Sequence, residues 1–252
     1  MNLELDVLWQ DEHLVVVHKP AAWLVHRTGL DAHETRIVQT VLRDQLGRWV
    51  YPVHRLDKGT SGVLLWALSP EVARDAAQAF EARLVDKRYL AVVRGWSPEA
   101  VEVDHPLRPD DAPPDAPAQS ARTAFRRLAT LSLPVPVDRY PSLRAALVLA
   151  EPETGRRHQI RRHLKHLSHP ILGDATHGKG PLNRLWAELV GTQRLWLHAW
   201  ELAMDHPVTG RHMCWRSPLS SPANADWLAL MAGQPWMPDA EADWAALGER
   251  PA

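Results

Sequence analysis

His54-Arg55-Leu56-Asp57-Lys58-Gly59-Thr60-Ser61-Gly62-Val63-Leu64-Leu65-Trp66-Ala67-Leu68 passes from a polar, glycine-bounded turn into a short, unbroken apolar run. The run is too short for an ordinary helix and suits a buried strand, whose start Thr60, Ser61 and Gly62 mark. A turn tied to a buried strand is a rigid mount, and rigid placement is what a reacting group needs. Asp57 is therefore a candidate catalyst. Asp and Gly are also the commonest turn residues, so the turn alone leaves a purely turn-closing role open.

Outward from this stretch, strands and helices mix without regular βαβ repetition, which predicts an α+β fold. Leu5 to Val25 reads as short strands, with His13-Leu14-Val15-Val16-Val17-His18-Lys19-Pro20 dense in β-branched residues and closed by proline. Ile37, Val38, Val41, Leu42 and Leu46 are spaced for a helix over Thr35 to Leu46, with Gly47 as its stop. Ser69-Pro70 reads as the cap and first position of a second helix, reaching about Phe80. Lys87 to Gly95, Arg122 to Thr130, Arg144 to Glu151 and Arg194 to Met204 read as further strands, the last with two distinct faces. A helix is expected to open around Thr154 to Arg156. Residues 104–119 hold five prolines and little apolar content, predicting an exposed acidic excursion that does not divide two domains. The organisation expected is one domain over residues 1–232 and a tail over 233–252, with Trp236 and Trp244 as anchors.

At 252 residues and 45% hydrophobic content, the chain can bury a full core. Twenty-nine Lys and Arg stand against 30 Asp and Glu, so the sum does not announce a nucleic-acid binder and distribution matters more. Arg144, Arg156, Arg157, Arg161, Arg162 and Lys165 meet only Glu151 and Glu153 between residues 144 and 169, whereas residues 102–115 carry five acids and one arginine. A single cysteine, Cys214, excludes an internal disulfide framework and a multi-cysteine zinc site, and suits a reducing compartment. The sequence shows no long apolar run and no signal-peptide pattern at residues 1–6, so a soluble cytoplasmic protein is expected.

A second constellation is Gly155-Arg156-Arg157-His158-Gln159-Ile160-Arg161-Arg162-His163-Leu164-Lys165-His166-Leu167. On a helix, Ile160, Leu164 and Leu167 form the buried stripe, and His158, Arg162 and His166 fall four apart on another face. Arg161, at the edge of the stripe, is placed to turn inward toward a buried carboxylate and hold it ionised. The remaining arginines and histidines suit phosphate binding, or simply a solvated basic face. The histidines do not suggest a metal: no Glu sits between a His pair at i, i+4, and the interleaved arginines repel a divalent cation. Tyr89, at the start of a buried strand, suits stacking on a base as well as an ordinary half-buried core position.

The ordered motifs His54-Arg55-Leu56-Asp57 with Thr60-Ser61-Gly62, Lys87-Arg88-Tyr89, Gly155 to Arg161, and Leu197-His198-Ala199 resemble those of RluA-type pseudouridine synthases. The resemblance covers roughly residues 5–215. It implies the pseudouridine synthase fold, a mixed and mostly antiparallel sheet with flanking helices and a central active-site cleft, without an N-terminal S4-like module. It further implies Asp57 as the catalytic aspartate, Tyr89 against the uracil ring, and Arg161 as the arginine paired with the carboxylate. Arg55 would help flip the target base, His54, Arg157 and Arg162 would contact the RNA, and Ile160 and Leu197 would complete an apolar floor. Isomerisation of uridine gains and loses no group, so no cofactor and no metal are expected. Lys19-Pro20, Trp23-Leu24-Val25-His26-Arg27, His169-Pro170-Ile171, Gly173-Asp174 and Asn183-Arg184 bring the chain nearest to members acting on transfer RNA. They imply transfer RNA as partner, with uridine 65 of the acceptor stem as target. A monomer with no obligatory protein partner and no membrane contact is expected. The rivals are a ribosomal RNA or another transfer-RNA position as target, RNA binding without catalysis, and metal-dependent hydrolysis by the histidine cluster; Asp57, Tyr89 and Arg161 occurring together count against RNA binding without catalysis.

Overall fold

The N-terminal β-branched runs form a hairpin of β1 (Val7–Gln10) and β2 (Leu14–Lys19). The Asp11 carboxylate closes it by accepting from the amides of His13 and Leu14, both at 2.8 Å. This computed structural model describes residues 4–27, 34–110, 112–113 and 115–240. Helix α1 (Val38–Leu46) ends at Gly47, which takes the left-handed conformation expected of a C-terminal glycine. Its start lies a few residues later than the apolar spacing suggests, because extended Ile37 pairs with Leu24 as an isolated parallel bridge. After β3 (Tyr51–Pro52), the run that opens the apolar stretch forms β4 (Ser61–Ala67), buried at every position. Helix α2 (Pro70–Glu81) begins as its sequence dictates, with the Ser69 hydroxyl accepting from Val72 N and proline at the first turn.

The remaining elements are β5 (Asp86–Arg94), β6 (Ala100–Asp104), β7 (Arg122–Leu133), β8 (Leu143–Pro152), α3 (Gln159–His166), α4 (Gly180–Val190), β9 (Leu197–Asp205), β10 (His212–Arg216), α5 (Ala225–Gly233) and β11 (Met237–Pro238). They fall into two compact units: Met1–Lys87 with His198–Ser217, and Arg88–Leu197 with Pro218–Ala252. The proline-rich excursion lies wholly inside the second.

In the first unit, β2 pairs antiparallel with β1 and with β4, and β3 also pairs with β4. β9 pairs parallel with β4 through Ser61–His198 and Gly62–Ala199, and antiparallel with β10. One face of these strands, Leu14 and Val16, Val63, Leu65 and Ala67, Leu202 and Met204, packs with Val72 and Ala76 of α2. The spacing of two within each strand is the pleat at work. Gly62 is needed for the parallel pairing: its φ is +114°, and a Cβ there would lie 2.1 Å from the Ala199 carbonyl oxygen.

In the second unit, β8 pairs antiparallel with both β5 and β7, and β7 with β6 and β11. The α+β class thus stands as the residue patterns predict, and the mixed, mostly antiparallel pairing as the family resemblance implies.

Three local expectations are corrected. The third helix opens at Gln159 and not at 154–156, because His158 adopts a left-handed conformation and Gln159 ties the preceding turn together. Its side-chain oxygen accepts from Arg156 N (3.0 Å) and Thr154 Oγ1 (2.7 Å), and its amide donates to Arg122 O and Thr123 Oγ1. The excursion is not wholly exposed: Leu107 is buried and bridges Gln119. The tail is part of the second unit as far as it is described, since β11 pairs with β7 and Trp236 is buried; Trp244 lies outside the described residues. The two faces of β9 are both buried, and its polar residues are satisfied internally, as with Glu201, which accepts from Arg216 Nε at 2.6 Å.

Candidate functional site

In the first unit, Asp57 opens a tight turn closed by Thr60 N donating to Asp57 O at 3.0 Å, with Lys58 and Gly59 at its tip. Leu56 on one side and Thr60 and Ser61 on the other are buried, so the half-buried aspartate is held at both shoulders. The strongest tie is Lys19, whose residue is 0% exposed. Its ammonium donates to the carbonyls of Pro20 (3.0 Å), Lys58 (3.1 Å) and Thr60 (2.7 Å), bracketing the turn from beneath. A buried ammonium is costly unless hydrogen-bonded, so these carbonyls and the lysine hold each other in place.

A second anchor lies one residue beyond. Ser61 Oγ and His198 Nδ1 are 2.8 Å apart, and His198 Nε2 is 2.8 Å from Ser217 O. The carbonyl can only accept, so Nε2 carries the proton and Ser61 donates to Nδ1. Ser217 Oγ in turn meets His18 Nδ1 at 2.8 Å. This buried polar chain links β4, β9, β2 and residue 217, and no local periodicity in the sequence announces it.

His54 and Arg55 diverge. Arg55 is exposed. The His54 ring stacks on Phe80 with centroids 4.6 Å apart, and its Nε2 accepts from Leu65 N at 3.0 Å. Burial, helped by the nearby Lys87 charge, pushes its imidazole down to about 3. Its described contacts brace β4 against α2.

In the second unit, Tyr89 is half-buried on β5 opposite Ala150 of β8, beside the ion pair of Arg88 Nε with Glu151 (2.8 Å). Ile160 and Leu197 are buried. Leu197 follows Trp196, whose carbonyl accepts from Val92 N of β5 at 3.0 Å.

Arg161 is 7% exposed and grips Asp174, itself 1% exposed, with Nε on Oδ2 at 2.7 Å and Nη2 on Oδ1 at 2.8 Å. The amides of Thr176 and His177 also donate to Asp174 Oδ1. Burial alone would raise this carboxyl, but the Arg161 hydrogen bonds, the His177 and Thr176 amides and the arginine charge outweigh it and hold it below the usual range. The loop is shaped by Asn183, which accepts from Gly173 N and donates to Asp174 O. An inward-turned Arg161 meeting a buried carboxylate is what the helical pattern predicts; the sequence reading did not single out Asp174 as that carboxylate.

Arg157 and Arg162 converge on one acid from the excursion: Asp110 lies 3.7 Å from Arg157 Nε, 3.4 Å from Arg162 Nη1 and 3.2 Å from His158 Nδ1. Arg162 Nη1 also donates to Arg108 O at 2.6 Å. The acidic and basic stretches that the sequence segregates therefore meet in space. Among the described residues, no three His, Cys, Asp or Glu side chains are arranged to hold a metal ion, and no helix is long and apolar enough to cross a membrane.

Residues 13–166 match the family model described as RNA pseudouridylate synthase. The chain is 45% identical over 239 residues to tRNA pseudouridine synthase C of Vibrio cholerae, covering 92% of this chain and 96% of that protein. It is also 45% identical to tRNA pseudouridine synthase C of Salmonella typhi, covering 94% of each. The solved structure of human RNA pseudouridylate synthase domain containing 1 superposes with a TM-score of 0.69 at 25% identity, covering 98% of this chain and 96% of that one.

Proposed function

The chain belongs to the RNA pseudouridylate synthase family, in its RluA-type branch, and from that membership we propose that it isomerises uridine to pseudouridine in transfer RNA, at uridine 65 of the acceptor stem, with Asp57 as nucleophile or base. An isomerase of this kind breaks the bond from ribose C1′ to uracil N1, rotates the base and joins C1′ to C5. The C5 proton leaves and N1 gains one, so atoms balance without a second substrate. A carboxylate serves this sequence by attacking C1′ or C6, or by taking the C2′ proton.

The observation that carries the reading is the mounting of Asp57 on a turn bracketed by buried Lys19, where a carboxylate is held fixed while remaining partly open. A fixed reacting group avoids the loss of rate that misplacement brings. Tyr89 and Arg161 take the roles that the family resemblance implies, with Ile160 and Leu197 as apolar contacts and Arg157 and Arg162 as phosphate contacts. Exposed Arg55 suits the cost of lifting a base from its stack, about a few kcal/mol.

The test is to incubate the protein with transfer-RNA transcripts and map pseudouridine by chemical modification and primer extension. Product at uridine 65 is expected, and Asp57→Asn is expected to abolish it while RNA binding persists. An active Asp57→Asn variant would refute the catalytic assignment, and product only at another position would refute the assigned target.

A further inference from the structure

At the opposite end of β5 from Tyr89 lies a cavity of about 480 Å³ whose walls include Arg94, Trp96, Tyr140, Arg144, His169 and Leu182. All belong to the second unit. Five residue steps along β5 lead from Tyr89 to Arg94, roughly 17 Å at the usual rise. The cavity volume is in the range of small-ligand sites, about 300–1,000 Å³.

Its chemistry is specific. Trp96 and Tyr140 are 40% and 46% exposed, among the few large aromatic side chains that the described residues show to solvent. Trp96 is fixed at its polar edge, where Nε1 donates to Leu131 O at 3.1 Å, and the Arg144 guanidinium lies over its ring at 4.3 Å. Arg139 donates to the Tyr140 hydroxyl at 3.1 Å and lies 5.3 Å from its ring centre. The hydrogen bond from Arg139, then its charge, holds the Tyr140 phenol below its usual range. Arg94 and Lys179 both approach Asp138, at 3.6 and 4.0 Å. Arg94 and Lys179 thus share one carboxylate, while Arg139 and Arg144 lie against the Tyr140 and Trp96 rings. The floor is set by His169 Nδ1 against Arg94 O at 2.8 Å.

We propose that this cavity is a second RNA-binding site, which takes one unpaired nucleotide of the RNA substrate, its base against Tyr140 and Trp96 and its phosphate between Arg94 and Arg144. Exposed aromatic faces bind any base by stacking, and planar guanidinium forks match phosphate oxygens. An acidic peptide would use the charges but leave the two rings without a planar partner. The inference rests on the RNA-modifying reading above and adds a contact outside the reacting centre.

Filter-binding with full-length transfer RNA across a range of salt concentrations tests it, using Tyr140→Ala, Tyr140→Phe and the double variant Arg94→Gln/Arg144→Gln. Tyr140→Ala is expected to raise Kd about tenfold and Tyr140→Phe to restore binding, since stacking needs the ring and not the hydroxyl. The double variant should lower the slope of log Kd against log salt by about 0.7, one single-strand phosphate contact. In pseudouridine formation the change should fall on KM and not on kcat. Unaltered Kd and slope in an enzyme that still forms pseudouridine would overturn this site alone; a wild-type protein that forms none in any RNA would overturn the function. Uridine 5′-monophosphate provides the last arm. If Tyr140→Ala abolishes its binding and leaves transfer-RNA affinity intact, the cavity serves a free nucleotide and the RNA assignment is wrong.

Discussion

Arg161 shows what one residue must satisfy before it can act. A buried guanidinium without an anion is strongly unfavourable, and Asp174 supplies that anion bidentately, held in turn by two backbone amides. Asp174→Ala removes the bidentate anion from this buried cation, so a loss of about 3–5 kcal/mol is expected in urea unfolding. Loss of activity should accompany it even though Asp174 carries no proposed role in the reaction; a fully stable, fully active variant would refute the cradle. At this scale the sequence was informative in part. The inward turn of Arg161 follows from its position beside Ile160 and Leu164, but the identity of its partner, thirteen residues on and across a loop, has no periodic signature. His54 is the converse. It sits in the same motif as Asp57, yet its described contacts are Phe80 and the Leu65 amide, both defined only once α2 and β4 have packed.

At the scale of elements, the segments read most accurately are those with local stops and caps. Ser69-Pro70 and Gly47 set helix ends where their side-chain and backbone chemistry requires. The opening of α3 was misread because its start depends on Gln159, whose four hydrogen bonds reach Thr154, Arg156, Arg122 and Thr123. Two of those partners belong to β7, so the boundary is a tertiary event. The β4–β9 pairing makes the clearest element-scale prediction. Gly62→Ala must place a methyl group where the Ala199 carbonyl already lies, and must do so at a positive φ. A cost of about 2 kcal/mol or more is expected, read as a fall of several degrees in Tm. The Asp57 turn should loosen with it, lowering kcat. Unchanged melting would show that β9 does not need this close approach.

Across the whole molecule, the titrating groups point one way. Burial holds His54, His163 and His177 below their ordinary value, His54 at about 3. Such groups take up protons in the unfolded chain first, below about pH 6.5, while the native state stays neutral until the folded value is reached. For His54, stability is therefore lost as pH falls from about 6.5 toward 3, by up to about 1.4 kcal/mol per pH unit, and His163 and His177 add loss in the same direction. Asp174, held below its usual range, adds loss in the same direction once pH drops beneath the unfolded carboxylate value near 3.8. Urea midpoints measured from pH 7.5 to 4.5 should fall steadily, and His54→Gln should flatten the curve; an equal slope in that variant would mean His54 titrates normally.

The sequence by itself determined the class of elements, the turn that presents Asp57, the buried strand behind it and, through ordered motifs, the family. These features depend on contacts within a few residues, where side-chain spacing and turn chemistry act directly. Only the tertiary structure decided that Lys19 lies beneath the turn, that Ser61 is tied through His198 to residue 217, and that Asp110 folds onto Arg157 and Arg162. In each case a charge or hydrogen-bonding group finds its partner tens of residues away, or across strands, because burial makes an unpaired polar group costly. That penalty selects among many chemically equivalent partners only when the chain has packed.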